Sequence, residues 1–179
     1  TNLDKGVGGV NIRAIAQYGV ISESSVDVCV LESKNYESAG DFVCLAKETL
    51  SNLEVVQESS PLIISRIEKD IRNIGGEPQM RVLVYLDKTP QGKIVRGYEE
   101  QFDKIQMEVS LRGTSAQFSC TNQDDNDRVI FREGDAIECK ADLDVGNGNV
   151  YKDSLVINLG YPYELERKKS ILFDSSWEE

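Results

Sequence analysis

Ser60-Pro-Leu-Ile-Ile-Ser-Arg-Ile-Glu-Lys-Asp-Ile-Arg-Asn-Ile-Gly-Gly76 is the stretch on which the fold class turns. Ser60 offers a hydroxyl N-cap, and Pro61 stands at the first helical position, where its missing N–H leaves nothing unsatisfied. Ile63, Ile64, Ile67, Ile71 and Ile74 recur at three and four residues, which predicts one buried helical face. Gly75-Gly76 then supplies the left-handed backbone that ends helices.

Just upstream, Ser38-Ala-Gly-Asp41 matches a capping box. Behind it Phe42, Leu45, Ala46, Thr49, Leu50, Leu53 and Val56 form a second stripe at helical spacing. Two amphipathic helices are therefore expected between residues 38 and 76. Before them, Val10, Ile12, Ala14 and Ala16, then Val26, Val28 and Val30, alternate as in half-buried strands.

From Gln79 the period changes to two. Met80, Val82, Val84 and Leu86 alternate with their neighbours, as do Ile105, Met107, Val109 and Leu111, and later Ile137, Cys139, Ala141 and Leu143. Repeated one-sided alternation predicts about six antiparallel strands in a small barrel, sandwich or jelly-roll-like sheet. The expected class is α+β: an N-terminal β segment, two helices, then that sheet. The chain divides into a flexible arm at residues 1–9, a β-plus-two-helix segment at 10–76, an antiparallel β domain at 79–160 and an acidic tail at 161–179. Residues 10–160 also read as one continuous domain. Within the tail, residues 164–173 are expected to make about two helical turns.

The chain of 179 residues carries a net charge of −11, spread evenly along its length. Such a field repels phosphate backbones and disfavours nucleic acid as a partner. There is no histidine, which removes Ser-His-Asp and Cys-His catalysis and histidine-bound metals. No phosphate-cradling loop or nucleophile motif replaces them, so neither an enzyme nor a cofactor is expected. No apolar run is long enough to span a membrane as a helix.

Cys29, Cys44, Cys120 and Cys139 show no zinc spacing. Cys120 and Cys139 fall in step with the apolar alternation, which favours buried reduced thiols over one or two disulfides. A reducing intracellular compartment such as the cytoplasm follows, and a virion or host cell fits the same reading.

Three candidate sites stand out. Asn122, Asp124 and Asn126, with Glu133 further on, place oxygen donors roughly as a calcium loop does, though Asp127 holds the glycine position. A solvated acidic loop between strands explains the run equally. The stretch from Lys93 to Leu159, with Phe131-Arg-Glu-Gly-Asp135 opening a hairpin, resembles in architecture the way OB and cold-shock barrels are built. That resemblance implies base stacking on aromatics beside cations, with Tyr98, Phe102, Arg96 and Lys104 as candidates. Finally, Leu172, Phe173 and Trp177 lie in the acidic tail as apolar anchors for a partner.

The expectation is thus a non-catalytic binding or structural subunit working through protein–protein contacts, by a protein partner or self-association. A single-stranded nucleic-acid-binding barrel is the alternative.

Overall fold

The computed structural model describes residues 8–31, 44–75, 77–90, 92–96, 103–114, 116–143 and 150–173. Strands in chain order are β1 (Gly8–Leu31), β2 (Lys47–Ser51), β3 (Val56–Gln57), β4 (Leu62–Ile74), β5 (Glu77–Lys88) and β6 (Gly92–Ile94). They continue as β7 (Asp103–Leu111), β8 (Ser119–Cys120), β9 (Arg128–Phe131), β10 (Ala136–Asp142) and β11 (Val150–Phe173). One sheet has the order β3-β1-β11-β7-β9, with β6 also along β11; the other runs β2-β4-β5-β10-β8. Every pairing is antiparallel.

The α+β expectation is corrected: the described residues contain no helix, and the molecule is all-β. The stretch quoted first is β4, and the reason it mimics a helix is a β-bulge. Pairing with β5 shifts register between Ile64 and Arg66, so the inward positions run Leu62, Ile64, then Ile67, Lys69 and Ile71. The spacing of three, Ile64 to Ile67, comes from the extra residue that resets the alternation, and the spacing of four, Ile67 to Ile71, is two strand steps across the inward Lys69. Gly75, at φ 66°, lies in the turn between the paired residues Ile74 and Glu77, not in a helix cap. The first expected stripe fails on burial: Leu50 is buried in β2, while Leu53 is 92% exposed. Residues 38–43, including the capping box, lie outside the described residues. The expected helical turns at 164–173 are likewise strand.

The inner faces of both sheets close on one core. Met80, Val82, Val84 and Leu86 of β5 meet Ile105, Met107, Val109, Leu155, Ile157 and Leu159 from the other sheet in a single cluster. Each such aliphatic side chain contributes roughly 1.5–3 kcal/mol through burial.

Three polar or covalent ties lock the sheets. Tyr161 Oη on β11 accepts the Leu62 amide at 2.9 Å and shares a 2.7 Å bond with Ser60. Lys69, buried on β4, donates from Nζ to the Cys29 carbonyl on β1 at 2.7 Å. Cys29 and Cys44 form a disulfide between β1 and the segment entering β2. A second disulfide joins Cys120 and Cys139, which face each other across β8 and β10. The expectation of reduced thiols is therefore corrected. Two disulfides suit an oxidising compartment rather than the reducing one expected. Among the described residues, no helix is long and apolar enough to cross a membrane.

Candidate functional site

β1 and β11 pair over their whole length, from Gly8 opposite Phe173 to Leu31 opposite Val150. Gly8 and Gly9 from the expected arm and residues 161–173 of the expected tail thus lie in one ribbon, with the expected strand from Val10 onward. At ~3.3 Å per residue, the part from residue 8 to residue 19 reaches about 40 Å. Residues 9–19 of β1 are all exposed, whereas Val26, Val28 and Val30 further along are buried. On β11, Tyr161, Tyr163 and Glu164 are still buried and residues 163–165 pair with β6, so the ribbon becomes two-stranded only beyond Leu165 and its partner Ala16.

Its two faces differ. Opposed residues share a face, so Asn11, Arg13, Ile15 and Gln17 lie with Ser170, Lys168, Glu166 and Glu164, opposite them in turn. Arg13 pairs with Glu166 at 2.8 Å, Gln17 donates to Glu164 at 2.6 Å, and Ser170 donates to Asn11 at 2.6 Å. Lys93 of β6 adds a 3.0 Å ion pair to Glu164. The Gln17 donor first, then Lys93, hold the Glu164 carboxyl below its ordinary range against a smaller push from burial.

The other face prolongs the core face outward: Val10, Ile12, Ala14, Ala16 and Tyr18 on β1 oppose Ile171, Lys169, Arg167, Leu165 and Tyr163 on β11. Tyr18 meets Tyr163 edge-on at 5.9 Å, and Tyr163 meets Tyr161 at 6.4 Å, so an aromatic row leads out of the core. Val10, Ile12 and Tyr18 are each about half exposed. On the polar face Ile15 is half exposed, and Ile21 is 89% exposed because Gly160 opposite it has no side chain to cover it. Exposed large apolar side chains thus concentrate on one strand.

That strand also has a free edge. Away from β11, β1 pairs with β3 at Ser24 and Ser25 only, and among the described residues nothing pairs with residues 8–23 on that side. A row of amides and carbonyls is left to solvent. Proline is absent from this edge, and Arg13 and Glu23 are its charged residues.

The other expected sites are distributed as follows. Asp124 is the hub of the β8–β9 turn rather than one ligand among several. Its Oδ1 accepts the Asn126 and Arg128 amides at 3.0 Å each, and its Oδ2 meets Lys104 at 3.3 Å and Arg128 at 3.0 Å. Burial pushes its carboxyl up, but those donors together outweigh it and bring the pKa to about 2. Asn122 and Asp127 hold left-handed backbone, at φ 59° and 57°. Asn126 is exposed in the same turn, while Glu133 stands beyond β9 in the next one, near Gly134. Among the described residues, no three acidic or thiol side chains gather as a metal site.

Arg96, Lys104 and Arg128 line a groove of about 510 Å³ beside Gly19, Ile21 and Gly160. Each is engaged with acid: Arg96 with Asp103, and Lys104 and Arg128 with Asp124. Tyr98, Phe102 and Trp177 lie outside the described residues. Leu172 and Phe173 end β11 opposite Gly9 and Gly8.

Sequence reasoning found the alternation of Val10, Ile12 and Ala14 but missed that its partner is residues 161–173. The signal available was Leu165 and Ile171 recurring on one parity among charges. No family model, no curated protein and no solved structure matches the chain.

Proposed function

We propose that the chain is a non-catalytic binding or structural subunit that acts through protein–protein contacts in a larger assembly, with the β1–β11 ribbon as its contact element. The observation that carries this reading is the exposed apolar face and open edge of β1 over residues 8–23. A two-stranded ribbon alone is marginally stable in water, and this one leaves apolar surface uncovered on a protein with an ample core elsewhere. Covering the ribbon with another protein surface removes both costs.

Light scattering of the purified chain tests it. The wild type is expected to show species heavier than the single-chain 20.0 kDa. Ile12→Lys combined with Ile21→Lys is expected to return the mass to one chain while leaving the β-sheet circular dichroism intact. A wild type that stays at one chain's mass at every concentration, or a double variant with unchanged mass, refutes the reading.

A further inference from the structure

We propose that the occupant of the β1 edge is a second copy of this chain, paired antiparallel about a two-fold axis through Tyr18. This inference rests on the contact role just given to the ribbon.

The argument begins with the edge itself. An unpaired strand edge without proline is a template for another strand, and identical edges joined by a two-fold axis pair antiparallel. Opposed residues must then share a face, so the axis passes through a residue. Placing it at Tyr18 sets Arg13 against Glu23 of the second copy, Ile15 against Ile21, and Ala16 against Val20. The charged residues of the free edge thereby neutralise each other, and its two isoleucines on the polar face cover each other. Moving the axis to Ala16 sets Arg13 against Gly19 and Ile15 against Gln17, and loses both matches.

Two further observations fit the Tyr18 centre. Tyr18 already meets Tyr163 edge-on at 5.9 Å, so the axis extends this into a row of Tyr163, Tyr18 and their two symmetry mates. β3 covers the edge from Ser24, so pairing ends at the Arg13–Glu23 contacts, one at each end. Beyond them Gly8–Ile12 of each copy peels away past β3. Arg13 and Glu23 are more than half exposed and hold Glu166 and Arg112 within their own chain. In the dimer the four alternate in sign. The result is one sheet running β11, β1, then β1 and β11 of the second copy.

A charge-reversal cycle and a cross-link test the register. Because the axis repeats every pair, Arg13→Glu and Glu23→Arg are each expected to weaken the dimer on the order of tenfold in sedimentation equilibrium. The double reversal is expected to recover near wild-type affinity, which the intrachain contacts with Glu166 and Arg112 would not produce. All four native cysteines are in disulfides, so Tyr18→Cys introduces the sole free thiol. It is expected to form a covalent dimer under mild oxidation, whereas Val10→Cys, set against Val26, is not. Additive losses in the double reversal, a Tyr18→Cys variant that does not cross-link, or a Val10→Cys variant that does, each overturn the proposal. If those failures occur while the wild type still exceeds one chain's mass and the lysine variant does not, the ribbon's contact role survives without this geometry. A wild type of one chain's mass removes both.

Discussion

Tyr161 accepts a hydrogen bond from the backbone N–H of Leu62 at 2.9 Å, and through it the ribbon strand β11 is fastened to the first residue of β4 in the opposite sheet. Burial holds the phenol above its ordinary range, against the opposing pull of Ser60 and Leu62. Tyr161→Phe keeps the ring but leaves the Leu62 amide without its acceptor in a buried place. Urea denaturation is expected to show a loss of about 1–3 kcal/mol. A loss near zero would mean that the bond does not hold the sheets together.

Lys69 gives a second prediction. Its ammonium is buried, donates to the Cys29 carbonyl and lies 3.0 Å from Glu48. Burial lowers its pKa below 10.5, more than Glu48 restores. The unfolded chain therefore binds the proton more tightly, and stability rises with pH between the lowered value and 10.5. Lys69→Met combined with Glu48→Leu is expected to fall within about 1 kcal/mol of the wild type, because the charge pair and its desolvation vanish together. Glu48→Gln, which strands the ammonium, is expected to cost about 1–3 kcal/mol, the partial exposure of Glu48 limiting the loss. Chemical denaturation of both variants checks the order.

The disulfides close loops of 15 and 19 residues. Chain-entropy reasoning gives roughly 3 kcal/mol for each. Replacing Cys120 and Cys139 together by alanine is expected to lower the melting temperature clearly, and a reducing agent is expected to shift the wild type and leave a variant lacking all four thiols unmoved. Equal melting with and without reductant would contradict the pairing.

Acid supplies the fourth test. Asp124 and Glu138 both sit at about 2, below the ordinary 3.8 and 4.5. Glu138 is lowered first by its bond from Arg81, then by Lys140. A depressed carboxyl lends stability that is complete above the ordinary value and is lost as pH falls toward the folded one. Melting temperatures are expected to drop between about pH 4.5 and 2, and Asp124→Asn with Glu138→Gln is expected to flatten that slope. A slope of the same steepness in the double variant would place the acid sensitivity elsewhere.

How much of this was legible in the chain depends on the element. Met80 to Leu86 and Ile105 to Leu111 declare their inward faces because nothing interrupts the alternation. Leu62 to Ile74 conceals its strand character, since one bulge residue and an inward lysine at Lys69 together give its isoleucines helical spacing. The run of β-branched isoleucines there was the contrary signal, and the Gly75-Gly76 pair fits a hairpin as well as a cap. Spacing alone did not disclose that Cys120 and Cys139 occupy opposed positions, because that pairing depends on which strand lies beside β10. The ribbon escaped for the same reason. Residues 8 and 173 are brought together by register, which no local pattern encodes.

Residue-resolved hydrogen exchange across a dilution series tests most directly whether the ribbon edge is a contact surface. The account predicts that amides of β1 facing away from β11 within residues 13–23 gain protection as protein concentration rises, while those of β5 and β10 keep theirs throughout. Fast exchange at those β1 amides, independent of concentration, would contradict it.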